Sequence, residues 1–225
     1  MKPDILIVVA ALDEADRIAS TLAALASAFP GAPVWVADDG STDATAEFAR
    51  GAGATVVRSE RVIGKGQAMT AGVRAALAEA DAEAIVVLCD GDLGESAREL
   101  PALVDALDSG GADLAVAAFA TRVGGGFGVA LAFARWAIRR RCGVSTRAPI
   151  SGQRALRAEA ARDVLPFAAG FGMEIGMTID AVRAGHRLVE VDLDLAHRAT
   201  GRTLSGFLHR GRQLTDFIRV YIARR

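Results

Sequence analysis

Carboxylates gather in three short stretches of this chain: Asp13-Glu14, Asp38-Asp39-Gly40-Ser41-Thr42-Asp43 and Asp90-Gly91-Asp92. Crowded carboxylates repel one another unless a cation or hydrogen-bond donors compensate them. An Asp-x-Asp pair with glycine between permits a tight bend that aims both side chains at one ion. Hard oxygen ligands select Mg²⁺ or Mn²⁺, which typically bridge protein carboxylates to phosphates. Any one of these aspartates alone reads equally as a turn or cap residue, and for Thr42-Asp43 capping is the plainer reading. Lys65 stands between Gly64 and Gly66 where a helical pattern begins. Glycines there let a ligand approach the backbone, and a helix N-terminus favours anions, so a phosphate site is compatible with Lys65. It is no Walker A loop, because the upstream glycine and the following Ser or Thr are missing, and Gly124 to Gly128 lacks G-x-G-x-x-G.

The elements that must position these groups alternate. Ile5 to Ala10 is an apolar, β-branched run, as in a strand buried on both faces. Ile18, Leu22, Leu25 and Phe29 recur on one helical face. Val34 to Ala37, Ala54 to Val57, Ile85 to Cys89 and Asp113 to Phe119 read as further strands. Helices are expected from Thr42-Asp43 through Phe48, across Met69, Val73 and Leu77, and from Ala97 to Leu107. Strands separated by such helices imply an α/β fold with a mostly parallel sheet flanked by helices. Ligands then bind at the carboxyl ends of the strands, where Asp38, Asp39, Asp90 and Asp92 fall. The second half is less regular. A helix through Trp136 ends in Arg139-Arg140-Arg141, a loop follows at Pro149-Ile150-Ser151-Gly152, and a helix is expected from Met173 to Ala184. Leu188 to Leu195 reads as a strand, and an amphipathic helix closes the chain.

Composition narrows the classes. The chain has 225 residues, 52% of them apolar, with 26 basic and 27 acidic side chains, so a single domain with ample core is expected over 1–225. Near-zero net charge argues against nucleic acid as partner. The longest uncharged stretch, Ile18 to Ala37, is twenty residues but is broken by Pro30-Gly31 and Pro33, so no bilayer-spanning helix is expected, and no signal peptide is read at the N-terminus. Cys89 and Cys142 form no metal-binding or disulfide pattern, which fits a cytoplasmic protein.

Val8 to Glu14 (VVAALDE), Val36 to Thr45 (VADDGSTDAT), Gly64 to Gly72 (GKGQAMTAG) and Leu88 to Leu93 (LCDGDL) together resemble glycosyltransferase family 2, with its GT-A fold, in order and spacing. Ala10 and Asp13 stand where the family's first motif has Pro and Asn. The resemblance implies a nucleotide-sugar donor, a UDP- or GDP-sugar, bound by the first half (1–120) at Ala10, Ala11, Leu12, Glu14, Asp38, Asp39, Lys65, Asp90 and Gly91. It also implies Mg²⁺ or Mn²⁺ on Asp90 and Asp92. Gly170 to Gly176, followed by Asp180, is similar to a segment of phosphoglycerate-directed members, which points to Glu174 on the acceptor side and His197 as a further metal ligand, in an acceptor half (121–225). The Gln-x-x-Arg-Trp motif of processive synthases is absent, because Ala132 stands where Gln is needed before Arg135-Trp136. A single transfer is therefore expected.

In an inverting transfer Glu174 is the base for the acceptor hydroxyl; in a retaining one it positions donor or acceptor. Glu174 also reads as a first-turn acid, and His197 as an ordinary histidine. From His197 to Arg225 there are seven arginines and one acid, Asp216. That pattern suits a helix packed on the domain, and equally a peripheral membrane contact or a lipid-phosphate acceptor; a homodimer is also compatible. Two other classes stand beside the transferase: a haloacid-dehalogenase-type phosphatase, which also places Asp-x-Asp after a strand, and a non-catalytic nucleotide-binding protein acting through the basic helix.

Overall fold

The computed structural model describes residues 4–119, 128–195 and 204–224. Among the described residues seven strands form one sheet in the order β3-β2-β1-β4-β6-β5-β7. They are β1 (Ile5–Ala11), β2 (Val34–Asp38), β3 (Thr55–Arg58), β4 (Ile85–Asp90), β5 (Leu114–Phe119), β6 (Arg154–Arg157) and β7 (Leu188–Leu193). All pairings are parallel except those of β6, which runs antiparallel between β4 and β5. The α/β expectation therefore holds.

Alternation along β1 divides the core. Ile7 and Val9 pack with α1 (Ile18–Ala28) and α4 (Pro101–Gly110), through Ile18, Leu22, Leu103 and Leu107. Leu6 and Val8 face the other side, against Met69 and Val73 of α3 (Lys65–Ala78) and Met177 of α7 (Met173–Arg183). A third, smaller cluster joins α5 (Val129–Cys142), α7 and α8 (Leu204–Ala223) through Ile138, Ile179 and Phe217.

Two local expectations are corrected, and one stretch gains elements. Helix α2 runs Thr45–Gly51 and does not begin at Thr42-Asp43. Asp43 precedes the helix, and its carboxylate accepts from the Thr45 N–H (2.9 Å), a turn that sets the helix start. The helix expected from Ala97 to Leu107 is two pieces, a 3-10 segment Gly94–Glu99 and α4, because Pro101 has no N–H to give and opens a new helix. Strand β6 and the short α6 (Ala158–Asp163) lie between the loop at 149–152 and the helix expected from Met173, a stretch to which the sequence pattern assigns no element.

Sheet register sets the functional rim. Ala11 pairs with Asp38 and Ala10 with Asp90, so the carboxyl ends of β2 and β4 flank the end of β1.

Candidate active site

The turn after β1 is stitched to the turn after β2. Asp13 adopts the left-handed backbone region (φ 53), which Asn and Asp tolerate better than most residues. That explains why Asp serves where the family pattern carries Asn. Its carboxylate accepts from the Thr42 N–H (2.7 Å), its N–H donates to Ser41 Oγ (3.0 Å), and the Glu14 N–H donates to Thr45 Oγ1 (2.8 Å). Ala10, Ala11, Leu12 and Glu14 are thus fixed along one wall, with the Leu12 side chain exposed.

Asp38 and Asp39 reach the rim but are buried. Asp38 accepts from the Ser41 N–H (2.9 Å) and forms an ion pair with Arg58 of β3 (3.2 Å). Asp39 accepts from the backbone N–H groups of Ile63 (2.7 Å) and Gly64 (2.9 Å and 3.0 Å to its two oxygens). These bonds anchor the segment leading into α3 and so place Lys65. Asp39→Ala is accordingly expected to lower Tm by ~5–10 °C, from losing charge-assisted bonds of about 2–3 kcal/mol in total. An unchanged melting curve would show that the segment is anchored elsewhere.

Lys65 is the hub. Its Nζ lies 2.7 Å from Asp90 Oδ1 and 2.9 Å from Glu174 Oε1, joining the end of β4 to the first turn of α7. Burial opposes the charge, but the carboxylates of Asp90 and Glu174 outweigh it and hold the ammonium above the ordinary lysine value. Glu174 is buried, and Thr178 Oγ1 donates to its carbonyl (3.0 Å). The space around the ammonium depends on Gly152: a Cβ there would lie 2.7 Å from Lys65 Nζ and 2.8 Å from Asp90 Oδ2.

The loop carrying Gly152 brings residues that the sequence reading missed. Gln153, buried, donates from Nε2 to Asp90 Oδ2 (2.8 Å), and its Oε1 accepts from Ser151 Oγ (3.2 Å). Arg154 is fully buried and donates to the Ser151 carbonyl (2.8 Å) and Thr178 Oγ1 (2.9 Å), tying this loop to α7. Burial pushes its guanidinium down to about 10, with Glu174 and Glu190 pulling the other way. Neither residue has a spacing signal: Gln153 meets Asp90 63 positions away, across an antiparallel strand.

The turn Gly91-Asp92 is held from α1. Thr21 Oγ1 donates to the Gly91 carbonyl and accepts from the Gly94 N–H, both at 2.8 Å. Among the described residues the Asp92 carboxylate forms no hydrogen bond or ion pair, and no group of three or more His, Cys, Asp or Glu is poised around a metal. His197 lies outside the described residues. Asp90, held by Lys65 and Gln153, and the carboxylate of Asp92 two residues on supply hard oxygens of the kind that Mg²⁺ or Mn²⁺ completes with water and phosphate oxygens, so the residue types fit such an ion.

The family model "Glycosyl transferase family 2" matches residues 6–165. An uncharacterised glycosyltransferase of Mycobacterium tuberculosis is 32% identical over 213 residues, 90% of each chain. The undecaprenyl-phosphate mannosyltransferase of Micrococcus luteus is 29% identical over 215 residues, covering 88% of this chain and 86% of that one. Among solved structures, glucosyl-3-phosphoglycerate synthase from M. tuberculosis, in complex with Mn²⁺, uridine diphosphate and phosphoglyceric acid, superposes with a TM-score of 0.79 at 30% identity. That match covers 99% of this chain and 78% of that one. None of these supports the phosphatase or the non-catalytic reading. With the family model running through every carboxylate turn on the rim, the chain belongs to glycosyl transferase family 2 and is a glycosyltransferase.

Proposed function

We propose that this enzyme transfers one sugar from a nucleoside-diphosphate sugar, with Mg²⁺ or Mn²⁺ held by Asp90 and Asp92, to a phosphate-bearing acceptor. The observation that carries the reading is the Asp90–Lys65–Glu174 bridge, which sets a donor-side carboxylate and an acceptor-side carboxylate against one ammonium. The solved relatives support the donor: their complexes contain uridine diphosphate or its glucose conjugate with Mn²⁺, or uridine diphosphate with Mg²⁺. Phosphoglyceric acid in one relative and undecaprenyl phosphate in the name of another support a phosphate-bearing acceptor. The two free thiols, Cys89 and Cys142, support a cytoplasmic setting.

A bound divalent ion supplies electrostatic stabilisation of the charge that develops on the leaving diphosphate. The chain's own residues do the rest. Gln153 and Lys65 fix the Asp90 carboxylate, and Thr21 fixes the turn that carries Asp92. Lys65 is within reach of both sides of the site, so its ammonium neutralises phosphate oxygens when it leaves Asp90. Glu174 meets the acceptor hydroxyl, as its base in an inverting transfer or its orienting acceptor in a retaining one. Ordered backbone at Ala10, Ala11 and Leu12, together with Asp38 and Asp39, frames the nucleoside.

A thermal-shift series with UDP and GDP, with and without Mn²⁺, tests the donor. A ligand at 100 times its Kd stabilises by about 2.7 kcal/mol. The Mn²⁺-dependent part of that shift is expected to vanish in Asp92→Ala. Unchanged metal dependence in that variant would remove Asp92 from the ligand set.

A further inference from the structure

Four of the large hydrophobic side chains most exposed among the described residues lie on two packed helices: Val129 (60%) and Trp136 (50%) on α5, Ile218 (40%) and Ile222 (50%) on α8. The helices meet along an aromatic seam. Trp136 lies 4.8 Å from Tyr221 and 5.5 Å from Phe133, ring centre to ring centre, and the Arg141 guanidinium sits 3.7 Å above the Tyr221 ring. Val129, Ala132, Trp136 and Arg140 are all exposed and recur at steps of three and four, one stripe of α5 that changes from apolar to basic along its length. Contiguous exposed apolar side chains on a water-soluble surface mark a contact.

Charge says which contact. Helix α5 carries four arginines and no acid, and α8 carries Arg210, Arg212 and Arg219 against one acid, Asp216. That acid is turned inward, accepting from the Phe171 N–H (3.2 Å) and pairing with Arg219 (3.2 Å). A tryptophan half in water, isoleucines beside it and an excess of arginine over acid on the two helices complement an anionic bilayer surface, where indole sits at headgroup level and arginine meets lipid phosphate. A protein partner of ordinary composition would need a concentrated acidic patch to match the same face.

We propose that the α5–α8 face docks this enzyme peripherally on anionic lipid bilayers, with Trp136 inserted at the interface and Arg139, Arg140 and Arg219 against headgroup phosphates. The face is coupled to the site. Asp216 of α8 holds the Gly170–Gly172 turn, and that turn leads directly into the first turn of α7, which carries Glu174. Docking of α8 therefore bears, through this turn, on the helix that carries the acceptor-side carboxylate. The proposal goes beyond the donor reading and does not depend on it.

The chain carries its own reporter. It has two tryptophans, and Trp35 is buried in the sheet (2% exposed), so an environment-dependent change in emission belongs to Trp136. Full-length protein is titrated with vesicles of phosphatidylcholine alone or with about 30% phosphatidylglycerol, at low salt and at about 0.5 M NaCl, with co-sedimentation alongside. Expected are a blue shift and sedimentation with the anionic vesicles, at least tenfold weaker in high salt. Arg139→Gln with Arg140→Gln should weaken binding by roughly 25-fold, about fivefold per arginine. Trp136→Phe should remove the blue shift and keep salt-dependent sedimentation. Each variant is first shown to keep the UDP–Mn²⁺ thermal shift, which separates failure of docking from misfolding or failure of the donor reading. Absence of binding to the anionic vesicles, equal binding to both vesicle types, or a concentration-dependent dimer that buries Trp136 without lipid would each overturn the proposal.

Discussion

Glu174→Gln is expected to leave affinity for a nucleoside diphosphate within a few fold of wild type and to cut sugar transfer by at least about 100-fold, as losing a general base does. The substitution keeps size and an oxygen that still accepts from Lys65, now 2.9 Å from Oε1, so the bridge to Asp90 is retained in form. What disappears is the negative charge and the basicity. Rival carboxylates are engaged elsewhere. Asp38 is paired with Arg58, Asp39 holds the backbone before α3, and Asp180 on the same helix is ion-paired with Arg224 at the end of α8. The size of the effect also reads the acceptor. A hydroxyl needs its proton taken, whereas a phosphate oxygen is already an anion near neutral pH and gains little from a nearby base. Lys65 does not confuse the pH dependence. Its folded pKa lies above the ordinary 10.5, so its pair's contribution is complete below that pH and is lost only as pH rises through the folded value. Wild-type transfer rates for Glu174→Gln across pH 6 to 9 would place the base elsewhere or remove the need for one.

The donor side of this site was legible because it is built at strand ends. An apolar run that stops at a carboxylate, as Ile85 to Cys89 stops at Asp90, marks both the strand and its functional terminus. Lys65 was legible from glycines and a helical start. Glu174 came from the likeness of a motif, since an acid in a helix's first turn is unremarkable by itself. Gln153 and Arg154 were not legible. The strand that carries Arg154 has only four residues, Arg-Ala-Leu-Arg, whose ends are charged and whose two apolar positions fall on opposite faces. Its place in the sheet comes from antiparallel pairing with β4 and β5, a tertiary decision with no local period. Pro101, by contrast, was a readable helix start that the longer apolar pattern masked.

Lys65→Met is expected to move two affinities in opposite directions. In the folded chain the ammonium touches Asp90 Oδ1 and fills the space that Gly152 leaves beside that carboxylate. A divalent ion binding to Asp90 and Asp92 without nucleotide must share Asp90 with this cation or displace it. Two like charges a few ångströms apart cost several kcal/mol at an effective dielectric constant near 20. Swinging of the lysine relieves much of that, and about tenfold tighter binding of Mn²⁺ alone is expected once the ammonium is gone. With a nucleoside diphosphate present the sign reverses. The displaced ammonium is then a phosphate donor, and a charge-assisted contact of about 1.5–3 kcal/mol corresponds to ~10- to 100-fold weaker UDP in the variant. Uridine without phosphates should bind both proteins alike, because the groups framing the nucleoside do not touch Lys65. Methionine keeps the length and apolar stem of the side chain, so α3 packing is little changed. Calorimetric titration of wild type and variant with Mn²⁺, uridine, and UDP in saturating Mn²⁺ reads all three. If Mn²⁺ alone binds more weakly to Lys65→Met, the ammonium supports the metal instead of competing with it, and the exchange at Asp90 is wrong.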